Sequence, residues 1–72
     1  MKYFVLIEET EDGGYAGYVP DLPVCFTVGN SVEEVEINIK EAIELYIEEL
    51  REDGKPIPIP YQRMTTYIEV AA

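Results

Sequence analysis

Histidine is absent from this 72-residue chain, cysteine occurs once, and lysine and arginine together number five against fifteen aspartates and glutamates. Without histidine, and with Lys2, Lys40 and Lys55 far apart in sequence, nothing activates Cys25 as a nucleophile. It reads instead as a buried strand residue. A lone cysteine forms no internal disulfide, and with no metal-ligand cluster the chain reads as a reduced, cytoplasmic protein that needs no cofactor. The formal charge of −10 argues against binding a phosphate backbone, which is electrostatic and needs clustered cations. Six tyrosines do not make a base-stacking platform, which works beside a positive groove; Tyr3, Tyr15, Tyr18 and Tyr46 read instead as core edges or interface anchors. Long apolar runs are missing as well. The run after Lys2 stops at Glu8 and Glu9, too short for a signal peptide or a membrane span.

What is present is organised around Ser31 to Asp53, which should be the only helix. Val32, Val35, Ile39, Ala42, Ile43, Tyr46 and Leu50 fall in one stripe at helical spacing, so one face is buried against a sheet. The same stretch holds nine of the fifteen acids against Lys40 and Arg51, and thus seven of the ten net negative charges. Ser31 and Glu34 match a capping box at its start; Gly54 and Pro56 mark its end. A chain of this length forms one domain, which buries roughly 60% of its unfolded surface and gains from oligomerisation or a partner.

Around the helix, residues 2 to 10 predict a first strand, with Tyr3, Val5 and Ile7 on one side and Phe4 and Leu6 on the other. Apolar residues on both sides imply a central strand covered twice, or one face left for a partner. Glu11 to Gly14 predicts a hairpin turn, residues 15 to 19 a second strand, and Pro20-Asp21-Leu22-Pro23 a rigid exposed connector. Val24 to Val28 predicts a third strand, Lys55 to Pro60 an extended crossing that clings to the surface, and Thr65 to Val70 a fourth strand. The expectation is an α+β domain of order β-β-β-α-β.

Few constellations suggest chemistry. Glu41 with Glu44, or Glu44 with Glu48, are neighbours on the helix, but they line its solvent face without histidine or an inward-facing acid. A metal-dependent hydrolase is the weakest reading. Gly13-Gly14 follows two acids and precedes a strand, so it is a turn rather than a phosphate loop. Ile37 lies among the acids, and Leu45 and Ile47 flank the stripe. An apolar fringe of this kind suits an oligomer interface.

Taken in order, Met1-Lys2-Tyr3, Asp12 to Tyr15, Tyr18 to Pro23 with Cys25, Gly29-Asn30-Ser31 with Glu33-Glu34, and Asp53-Gly54 with Pro56, Pro58 and Pro60 resemble the HicB-like antitoxin family. The resemblance spans roughly residues 1 to 60 and implies a partial ribonuclease-H-like fold. It further implies an antitoxin that covers the active surface of HicA, a small basic toxin that cleaves messenger RNA. Pro20, Asp21, Leu22 and Pro23, with Glu41, Glu44 and Glu48, are the expected toxin contacts, and a homodimer or higher oligomer is expected through Ile37, Leu45 and Ile47. Fuller members add a DNA-binding domain; here a single domain over residues 1 to 72 is expected. Val24 stands where the family has glycine. Catalysis is not expected, since the first strand is apolar from Tyr3 to Ile7 where a nuclease needs a metal-binding carboxylate. The alternative reading is an orphan oligomeric scaffold module without a toxin.

Overall fold

Capping chemistry sets the limits of the helix. In the computed structural model, which describes residues 1–71, helix α1 spans Val32–Glu52. The Ser31 hydroxyl accepts from the Glu34 N–H at 3.1 Å, and the Glu34 carboxylate accepts from the Asn30 N–H at 3.2 Å. The reciprocal half of the box thus reaches one residue further back than the capping-box pattern places it. At the other end Gly54, at φ +66°, donates to Arg51 O, and Lys55 N–H donates to Leu50 O at 2.9 Å. These two bonds satisfy carbonyls that the helix cannot.

The sheet is antiparallel, in the order β1 (Leu6–Glu9), β2 (Tyr15–Val19), β3 (Leu22–Gly29). Thr10 and Gly14 close the first hairpin around Gly13 at φ +89°. Helix α1 lies across β2 and β3. Val19, Leu22, Cys25 and Ile39 form the core, with Tyr3, Val5, Ile43 and Tyr46 packed against it. Gly17 is where helix and sheet come closest, since a Cβ there would stand 2.5 Å from Val35 Cγ1. The predicted stripe is otherwise the buried one, but Val32 is exposed at the first turn.

Four expectations change. The first strand is shorter than residues 2 to 10: it begins at Leu6 opposite Tyr18, where the register shifts between Tyr18 and Val19, and Tyr3 and Phe4 lie beyond the end of β2, where Pro20 brings no N–H. It is also an edge strand rather than a central one, and Phe4 and Leu6 on its second side are half-buried. The connector contracts to the turn Pro20-Asp21. Leu22 pairs with Val19 and is fully buried, while Pro23 is tolerated because β3 is the other edge. Finally, residues 65 to 70 form no strand. Their alternation gives strand propensity, yet within one chain no sheet edge is brought to them. The tail stretches the molecule to 50 × 26 × 16 Å, and its radius of gyration is 14.3 Å. A globule of this length has about 11 Å.

Val24 adopts its place without a left-handed backbone, since no described non-glycine residue has positive φ. Cys25 is buried, its Sγ 3.8 Å from Ala42 O, and burial pushes its thiol pKa up. That is an inert core thiol.

Candidate functional site

Asp21 ties the far end of the chain to the sheet. Its carboxylate accepts from the Tyr61 N–H at 3.2 Å and pairs with the Arg63 guanidinium; its side chain is 4% exposed. Beside it the Tyr3 hydroxyl donates to Pro58 O at 2.5 Å, so the crossing from Lys55 to Pro60 does cling to the domain. The Arg63 hydrogen bond, helped by the Tyr61 amide and opposed by desolvation, holds the Asp21 carboxyl below the usual carboxylate range. Desolvation, with the Asp21 charge second, pushes the Tyr3 hydroxyl up.

This anchor is pH-dependent. Because the folded pKa of Asp21 is the lower one, its contribution is complete above the unfolded value of about 3.9 and is lost as pH falls through the folded value. In an acid titration followed by NMR, the Tyr61 amide should therefore move with a midpoint below that of a free aspartate. A midpoint above it, or no movement, contradicts the anchor.

Of the four predicted turn contacts, Pro23 is exposed, Pro20 is half-buried, Asp21 is covered by the tail, and Leu22 belongs to the core. The helix acids are placed differently. Glu33, Glu41, Glu44 and Glu48 lie within about 40° of Ile37 around the helix axis, making one acidic ridge with an isoleucine in it, and Arg51 stands in the same sector near its C-terminal end. All six are exposed. Leu45 and Ile47 are about 160° apart around that axis and do not join in one patch. Leu45 borders a depression with Val24 and Tyr46, whereas Ile47 lines an open groove of about 650 Å³. The floor of that groove is Tyr3, Val5, Ile7, Ile39 and Ile43, and Glu36, Lys40, Glu44 and Arg51 rim it. Glu44 is thus shared by ridge and groove.

A surface that sequence reasoning missed is the outer face of the sheet. The register aligns Leu6, Tyr18 and Phe26 in one row, and Val24 and Val28 flank it; Val24, Phe26 and Val28 are 68, 60 and 57% exposed. The signal was their period-two spacing opposite Cys25 and Thr27. Among the described residues no group of three Cys, Asp or Glu side chains is arranged to hold a metal ion, and no helix is long and apolar enough to cross a membrane.

Known proteins are similar to this chain. A family model described as HicB_like antitoxin of bacterial toxin-antitoxin system matches residues 3–70. A UPF0150 protein of Thermoplasma acidophilum is 53% identical over 58 residues, covering 81% of this chain and 84% of that protein. Antitoxin HicB 1 of Photorhabdus laumondii is 34% identical over 70 residues, 97% of this chain and 45% of that protein. Among solved structures, a chain of the HicA3 and HicB3 toxin-antitoxin complex superposes with a TM-score of 0.68 at 36% identity, covering 85% of this chain and 70% of that one.

Proposed function

Because this chain belongs to the HicB-like antitoxin family, we propose that it binds a small, basic, HicA-like toxin and covers the surface with which that toxin cleaves messenger RNA. The observation that carries this reading is the acidic ridge of α1. Glu33, Glu41, Glu44 and Glu48 form a predominantly negative surface around an apolar side chain, Ile37, with Arg51 the one cation in the same sector. A protein that binds RNA needs a positive surface, and a negative one of matching extent attracts it, raises the association rate and excludes RNA from the same site. Ile37 supplies the water-excluding contact that charge alone lacks. Pro20 and Pro23, at the end of the sheet, are the second part of the proposed contact.

In this reading the domain is a partial ribonuclease-H-like fold without catalysis, acts in the cytoplasm, and touches the toxin rather than nucleic acid. It works as a homodimer or higher oligomer. Only six hydrophobic residues of the described chain are buried, a small core for independent stability, and the open apolar face of the sheet favours association. The test is cell-free translation. A HicA-like toxin alone should stop synthesis, and adding this chain in stoichiometric amounts should restore intact messenger RNA. Absence of both complex and rescue refutes the proposal.

A further inference from the structure

We propose that residues 65–70 of one copy form the missing edge strand on β3 of a second copy, which returns its own segment to the first. The inference deepens the self-association reading above and owes nothing to the toxin. It begins from the tail. Tyr67, Ile68 and Val70 are 102, 75 and 73% exposed, and Ile68 and Val70 share one side of an extended chain. An apolar segment with strand propensity and no pairing partner is an incomplete element.

Its partner is legible in the sheet. β1 is a short edge of four residues and carries Glu8 and Glu9, charges that discourage pairing. β3 is an eight-residue edge without a charged residue, and its exposed Val24, Phe26 and Val28 match the tail in character. The root of the tail is also fixed. Asp21 holds Tyr61 and Arg63, and Tyr3 holds Pro58, so the following residues leave their own domain and reach outward.

Charge selects the occupant. Residues 56 to 70 contain only Arg63 and Glu69, and β3 contains none, so both surfaces are neutral on a chain of charge −10. Two such acidic chains can meet there with little repulsion, while a cationic toxin gains nothing electrostatic from either surface. Reciprocal exchange closes at two copies and leaves no unpaired tail.

Light scattering of the full chain should give twice the 8.2 kDa chain mass. Ile68→Asp should weaken the dimer by at least about tenfold, as for loss of an interface anchor, with helical circular dichroism unchanged because the tail adds nothing to its own core. Phe26→Asp, on the receiving strand, should do the same. Hydrogen exchange supplies an independent reading: the amides of residues 66 to 70 should be protected in the dimer and lose protection on dilution. A chain of monomer mass at every concentration, or a dimer that survives both substitutions with those amides unprotected, overturns the proposal. So does protection that appears only when a HicA-like toxin is added. Failure of toxin binding with the dimer intact would instead count against the antitoxin reading alone.

Discussion

The triple substitution Glu41→Lys, Glu44→Lys, Glu48→Lys should reduce affinity for a HicA-like toxin by about two to three orders of magnitude while leaving the fold intact. Each reversal shifts the formal charge by two, so the chain moves from −10 to −4 and the centre of the α1 ridge becomes cationic. Like charges then face each other across the contact, and both association rate and complex lifetime suffer. All three side chains are exposed, so stability should change by no more than about 0.5 kcal/mol each. Surface plasmon resonance at two salt concentrations checks this. The wild-type association rate should fall with salt, and that of the variant should not. Unchanged affinity in the variant would place the contact elsewhere on the chain.

The second large effect is expected at Gly17. A Cβ at this position would lie 2.5 Å from Val35 Cγ1, and Val35 is fully buried beneath the first turns of α1. Its side chain cannot move aside without helix or sheet moving too. Gly17→Ala should therefore cost about 1–3 kcal/mol, the range of an overpacked core. Gly17→Val adds two further methyl groups into the same contact. Its cost should approach the whole stability of a domain this small, about 5 kcal/mol at the low end for folded proteins. Thermal unfolding by circular dichroism should show a lowered Tm for the alanine variant and no cooperative transition for the valine variant. A valine variant with the wild-type Tm would contradict the close approach of helix and sheet. Gly13 makes a useful control. There a Cβ meets open space, and only the left-handed φ of +89° opposes it, worth about 1 kcal/mol.

Local chemistry was legible and long-range pairing was not. The helix could be read to its caps because Ser31, Glu34, Gly54 and Pro56 act on backbone groups within a few residues of themselves. β2 and the core role of Cys25 followed from alternation and from the lack of an activating base. Leu22 was misjudged because prolines stand on either side of it in the connector. Pro20 does break the ladder, but Pro23 sits on an edge strand where a missing N–H costs nothing, and Leu22 between them turns into the core.

The fourth strand failed for a different reason. A strand is completed by a partner, and the pattern of Thr65 to Val70 records a propensity to pair without recording the edge to which it pairs. Candidate contacts divide in the same way. That Glu41, Glu44 and Glu48 share a face follows from helix geometry alone, and Ile37 joins them there. The capture of Arg63 and Tyr61 by Asp21 spans about forty residues and had no local signature. Its effect is to give Asp21 an internal task in the isolated chain, so the part of the turn left free for a partner is Pro20 and Pro23.

The acidic ridge is the centre of this account, and isothermal titration of the full chain against a HicA-like toxin tests it most directly. One toxin should bind per chain, with an affinity that weakens steeply as salt rises from low to physiological concentration, and the Glu41, Glu44 and Glu48 reversals should abolish the heat. No binding, or binding that is indifferent to both salt and those reversals, would contradict it.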